Sequence, residues 1–184
     1  MRNILLAILL SVAANLASGS ALNTVAGRSA ETSGCGDPDD ALQLYRLHRI
    51  SYSWMTDVGT VNDLILDHGL LLETVAAMVF VTQEESTVPF YFLSSSALHD
   101  NFLTVNAIER DTAIAQGYLL RPEFQTFIYA TQVCGSVPFY HVFNSAKTNN
   151  FYTISESERD SAISSGGYTD QGIAGYVLPP GVAC

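Results

Sequence analysis

Two hexapeptides, "ERDTAI" at Glu109–Ile114 and "ERDSAI" at Glu158–Ile163, set two carboxylates and a guanidinium in near-identical surroundings. Paired carboxylates can serve glycoside hydrolysis as acid and base, which makes Glu109 with Glu158, or Asp111 with Asp160, one candidate pair. A second chemistry is recognition without reaction. Tyrosine, tryptophan, asparagine and aspartate read sugars by stacking on the ring and bonding its hydroxyls. Such residues gather at Tyr52-Trp54, His99-Asp100-Asn101 and Asn149-Asn150-Tyr152. The expected ligand-binding residues are therefore Asp100, Asn101, Asn149, Asn150 and Tyr152. Trp54, Phe102 and Phe151 fall on one strand position and are expected in the core.

Other chemistries find little support. There is no Gly-x-Ser-x-Gly elbow, His-Glu-x-x-His, phosphate-cradling loop or dinucleotide fingerprint. His48, His68, His99 and His141 are scattered without metal spacing. "DPDD" at Asp37–Asp40 lacks the rest of a calcium loop and reads as a solvated acidic turn. No cofactor, metal or catalytic group is expected, and hydrolase activity is the weakest of the three readings.

The elements that position these residues come from a repeat. "VPFYFLSSSALHDNFLTVNAIERDTAIAQGY" begins at Val88 and "VPFYHVFNSAKTNNFYTISESERDSAISSGGY" at Val137. The shift is 137 − 88 = 49, and 158 − 109 = 49 again. A third, eroded copy precedes them, with Tyr45 matched to Tyr91 and Tyr140, and Trp54-Met55-Thr56 to Phe102-Leu103-Thr104 and Phe151-Tyr152-Thr153. Each unit reads as strand, turn, strand, short helix, turn, strand. Ser155 with Glu158, and Asn106 with Glu109, have the spacing of a capping box, in which the glutamate reaches back to the cap amide. The hexapeptide is thereby read chiefly as scaffold, with arginine and aspartate outward or locally paired. Units this small cannot bury a core alone. The expected fold is one α+β domain, mainly β. Three ββαβ-like repeats of about 46–49 residues (42–87, 88–136 and 137–184) should form a closed, pseudo-threefold, propeller- or trefoil-like assembly.

Composition bounds the setting. The 184 residues suffice for one domain with a real core. A net charge of −10, with Lys147 the only lysine, leaves no basic patch and argues against nucleic acid. "MRNILLAILLSVAANLASGSA" has the charged start, apolar centre and small-residue end of a secretory signal peptide over residues 1–21. Residues 22–34 read as a flexible leader and 35–184 as the domain, secreted and without a membrane span. There is no N-glycosylation sequon. Three cysteines leave one without a partner inside the chain. Ring closure favours Cys35–Cys184, with Cys134–Cys184 and Cys35–Cys134 as alternatives. A disulfide dimer through Cys134 would follow from the first.

The pattern Phe-Tyr…Asn-Phe-Tyr-Thr…Glu-Arg-Asp-x-Ala-Ile…Gly-Tyr…Gly-Ile-Ala-Gly-Tyr-Val resembles a secreted repeat family known as domain of unknown function 5648. The third copy, Phe139 to Val177, matches closely; the second matches as far as Tyr118; the first keeps "LYRL" and scattered positions. Together the copies cover roughly Leu42 to Leu178. The resemblance implies an extracellular accessory module and supplies no catalytic residues. The family's Asp-His before Phe-Tyr-Thr is replaced here by Asn149-Asn150 and by Asp100-Asn101. The expected function is non-enzymatic recognition of an extracellular glycan or, alternatively, of a surface protein.

Overall fold

The structure, a computed structural model, describes residues 34–181. The expected signal peptide, nearly all of the leader and Cys184 lie outside the described residues. Alternating apolar positions produce strands, and polar caps start helices, in an order that recurs three times. First come β1 (Ala41–His48), β2 (Tyr52–Met55), α1 (Val58–Leu66) and β3 (Leu71–Phe80). Then follow β4 (Thr87–Ser95), β5 (Asp100–Thr104), α2 (Ala107–Ala115), the two-residue β6 (Leu119–Leu120) and β7 (Thr126–Tyr129). The last set is β8 (Val137–Asn144), β9 (Asn149–Thr153), α3 (Glu156–Ser165) and β10 (Thr169–Val177). The fold is α+β and mainly β, with three short α-helices among the described residues. Helices of this length are marginal in water and depend on packing against the strands.

Asp57, Asn106 and Ser155 cap the three helices, and their spacing is constant: 106 − 57 = 49 and 155 − 106 = 49. Each helix is followed by a glycine in the left-handed region, at φ 66° for Gly69, 94° for Gly117 and 74° for Gly167. That conformation ends a helix at little steric cost only where no Cβ is present.

The hairpin registers correct one alignment. Across the hairpins Arg46 faces Trp54, Phe92 faces Leu103, and His141 faces Tyr152. Trp54, Leu103 and Tyr152 each stand three residues before a helix cap, so Trp54 corresponds to Leu103 and Tyr152 rather than to Phe102 and Phe151. The β1–β2 turn is shorter than the other two, which moves the first hairpin one place relative to the expected alignment. These three residues are almost wholly buried. The Trp54 and Tyr152 rings meet edge to face with centroids 5.0 Å apart. The Tyr152 hydroxyl donates to Leu103 O and accepts from Leu103 N, both at 2.9 Å. One side chain of the third unit thus stands in for a strand partner on the second.

β3, β7 and β10 meet at the centre, where Phe80 pairs with Phe127, Tyr176 with Tyr129, and Met78 with Leu178. The main hydrogen-bonded path runs β2-β1-β3-β7-β10-β8-β9 and is open at both ends. The propeller- or trefoil-like closure expected from the repeat is therefore not what the sheet forms. Each central junction pairs a single residue on each strand, so the ladder does not continue around a ring. At the opposite side, β2, β5 and β9 approach one another through side chains instead.

The disulfide is Cys35–Cys134, and not the expected Cys35–Cys184. Cys134 is consequently engaged within the chain, which removes the basis for a dimer through it. The reason is spatial: the segment before β1 runs beside the β7–β8 turn, where Gly36 N donates to the Tyr129 hydroxyl at 3.2 Å.

Candidate functional site

The turn residues expected to form an exposed rim are interior. Asp100, Asn149, Asn150 and Tyr152 are all at most 5% exposed, and Asn101 is half-buried. They bond one another and the neighbouring hairpins. Asp100 accepts from Asn150 N at 2.9 Å, from Asn150 Nδ2 at 2.5 Å and from the Tyr118 hydroxyl at 2.7 Å. Burial raises the Asp100 carboxyl above the usual aspartate range, against the pull of those donors. Asn101 Nδ2 donates to Tyr52 O at 2.7 Å and to Ser53 Oγ at 3.0 Å. Asn149 Nδ2 donates to Ile50 O at 3.3 Å. These residues tie the three hairpins together, a position that sequence reasoning took for a rim because polar turn residues are usually solvated.

The repeated hexapeptide divides its labour. Arg110 lies 4.6 Å over the Tyr91 ring and Arg159 lies 4.4 Å over Tyr140. Asp111 and Asp160 bind those arginines at 2.8 Å. The Asn106 side chain accepts from Ile108 N and Glu109 N, and Ser155 Oγ accepts from Glu158 N. The glutamates do not reach the cap amides as a capping box would have them do. Thr104 and Thr153 accept from those amides instead, and donate their hydroxyls to Glu109 and Glu158. That relay leaves most of each carboxylate free to face sideways, toward the next unit.

What each glutamate faces differs. Beside α3, Arg46 donates from Nη2 to Glu158 Oε1 at 2.6 Å and from Nη1 to Oε2 at 3.0 Å. Its Nε donates to Glu73 Oε2 at 2.8 Å, and its guanidinium lies 4.9 Å from the centre of the Phe151 ring. Burial pulls the Glu158 carboxyl up, but Arg46 and Thr153 hold it below the usual glutamate range.

Beside α2 the same positions form an open groove of 290 Å³ lined by Phe102, Glu109, Tyr118, His141, Phe143 and Gln171, among others. Ile108 and Thr112 form its exposed helical wall. His141 stands where Arg46 stands, stacked on Tyr152 with centroids 4.4 Å apart and planes 8° from parallel. Its Nε2 lies 2.7 Å from Asn150 Oδ1. Asn150 commits its amide nitrogen to Asp100, so its oxygen is the acceptor and His141 Nε2 the donor. Burial pushes the imidazole below the usual histidine range, opposed by Asn150 and by the Glu109 and Asp170 carboxylates. Among the described residues no ion pair reaches Glu109. Beside α1 the corresponding positions carry Thr60 and Phe92, and a 240 Å³ cavity there is walled by Phe92 and Phe124.

A family model described as "Domain of unknown function (DUF5648)" matches residues 40–178, three quarters of the chain. The chain belongs to that family. No curated protein and no solved structure matches it. The match spans all ten strands and three helices, from Asp40 before β1 to Leu178, the partner of Met78.

Sequence reasoning placed Asn150, Glu109 and Tyr118 in the repeat but missed His141, Phe102, Phe143 and Gln171 as neighbours across the unit boundary. A signal was available. Aligned on their helix caps, the three segments place Arg46, Phe92 and His141 at one strand position, three side chains of different size and charge. No cluster of three His, Cys, Asp or Glu side chains suited to a metal occurs among the described residues. No described helix is long and apolar enough to cross a membrane.

Proposed function

We propose that this protein is an exported, non-enzymatic recognition module that holds its ligand in the groove between α2 and the paired strands β8, β9 and β10. The observation that carries this reading is the groove's composition: half-buried aromatic faces beside the Glu109 carboxylate, which no ion pair reaches among the described residues. Export rests on the apolar amino-terminal segment and agrees with a disulfide-bonded domain. We read the three segments as copies of one unit set about a pseudo-threefold axis. The constant cap spacing and the mutual contact of β3, β7 and β10 support that reading.

A protein or peptide partner is favoured over a glycan. The rim residues that motivated sugar binding are buried, whereas the first unit exposes Leu42, Ile50, Val58, Leu66, Leu71, Leu72 and Val81. Exposed apolar side chains in that number on one segment suit a protein contact. Glycan recognition remains the second reading, supported by Phe102, Tyr118 and Phe143 flanking Gln116 and Gln171 in one groove. The hydrolase reading has less support, because Asp111 and Asp160 each bind a neighbouring arginine and Glu158 binds Arg46.

The test is a screen of the purified domain on peptide and glycan arrays, repeated with Thr112→Trp, which fills the groove from its exposed helical wall. Peptide hits that the tryptophan abolishes support the reading. Glycan hits lost in the same way move the conclusion to the second reading. Hits indifferent to Thr112→Trp, or a blank array with a folded domain, overturn it.

A further inference from the structure

We propose that the α2 groove binds the guanidinium group of an arginine side chain presented by a peptide or protein partner. The proposal rests on the groove being the recognition site and names what it recognises. The protein itself supplies the template. Beside α3, a guanidinium is held by five features: the Glu158 carboxylate, the Glu73 carboxylate, the Phe151 ring, the more distant Tyr52 ring and the Thr153 relay that orients Glu158. Each has a counterpart beside α2.

The counterparts follow from register. Glu109 and Glu158 are both the third residue after a helix cap, and each accepts from a threonine two residues before that cap. Phe102 and Phe151 are both the fourth residue before the cap. Glu73 and Gln171 are both the bulged residue of a closing strand: Arg46 pairs with Thr74 and Leu47 with Leu72, while His141 pairs with Gly172 and Val142 with Asp170. Tyr52 corresponds to Asn150 two residues before Trp54 and Tyr152 respectively. Glu109, Phe102, Gln171 and Asn150 all line the open groove. Two supporting positions change, Glu73 to Gln171 and Tyr52 to Asn150, and so does the residue reaching in. Arg46 spans the space and delivers its own cation, whereas His141 is shorter and turns its Nε2 to Asn150.

The vacated place has the chemistry of a guanidinium site. Glu109 can accept two parallel N–H groups, Gln171 Oε1 a third, and Phe102 can carry the planar face, as Phe151 does for Arg46. Asp170 adds negative field at the same end. A lysine ammonium lacks both the fork and the flat face, so arginine is preferred. A net charge of −10 steers a cationic partner toward the domain.

The probe is acetyl-Gly-Arg-Gly-amide, titrated into the disulfide-intact domain by amide NMR beside its citrulline and lysine twins. The arginine peptide is expected to shift the Glu109, His141 and Gln171 signals. It should bind on the order of tenfold or more tightly than the neutral citrulline twin. Glu109→Gln should lower arginine affinity on the order of tenfold with the spectrum otherwise unchanged. His141→Arg should abolish binding by supplying the cation internally, without loss of thermal stability. Equal binding of arginine and citrulline, or arginine binding that survives both substitutions, overturns the proposal. If array ligands are blocked by Thr112→Trp while the arginine peptide does not bind, the recognition groove stands and the guanidinium falls. If neither the arrays nor the peptide give binding, both fall.

Discussion

Beside α3, Glu158 is held by Arg46 and by Thr153, and the guanidinium rests on Phe151. Beside α2, Glu109 has its threonine and its aromatic neighbour but, among the described residues, no paired cation, and the space is open. One backbone arrangement thus yields an ion-paired seam in one place and an open groove in another. The difference lies chiefly in the facing residue, Arg46 or His141, and beside it in Glu73 against Gln171 and Tyr52 against Asn150. Under the proposed reading, an internal cation and a partner's cation would compete for this carboxylate position, and the two helices would divide those uses between them.

The comparison can be broken by substitution. Arg46→Met should cost the most, about 3 kcal/mol, because it strips a nearly buried cation from two carboxylates and leaves them facing each other. His141→Met, the counterpart, should cost about 1 kcal/mol or less, since only stacking and one hydrogen bond are lost. Urea denaturation of the two variants measures the gap, and equal costs would refute the division of roles. Asp100→Ala should come next, at about 2 kcal/mol, by leaving Asn150 and Tyr118 without their acceptor. Among the glutamates, Glu158→Gln should destabilise by about 1–2 kcal/mol. Glu109→Gln should stay within about 0.5 kcal/mol.

The smallest effect is a pH dependence carried by His141. Its folded pKa is held below the unfolded value, so the unfolded chain takes up the proton first as pH falls. Stability is therefore full above about 6.5, the ordinary histidine value, and declines as pH falls through the window down to the folded pKa. His141→Phe should flatten that part of the urea-midpoint profile. A profile unchanged by the substitution would show that the imidazole is not desolvated as the groove geometry requires.

Much of the unit was legible in the sequence, because its signals are local. Strand alternation in "PFYHVF", the caps Asn106 and Ser155 and the terminal glycines all act within a few residues. What was not legible depended on neighbours distant in the chain. Asp100 and Asn150 look like loop residues until a strand from another unit covers them. Trp54 was matched one place off because a shorter turn, not a change of strand pattern, set its register. Sheet closure could not be read either, since single-residue junctions leave no periodic trace.

The Cys35–Cys134 bond has a mechanical consequence. A pulling force applied between Gly34 and Gly181 travels across that bond and bypasses β1 to β7. Only the chain beyond the crosslink, 181 − 134 = 47 residues, can be drawn out, which limits the extension to about 160 Å. The third unit would peel away under load while the first two, including the Glu109 carboxylate and the α2 wall, kept their connections. A reducing agent would remove that safeguard and let the whole domain unravel as one thread.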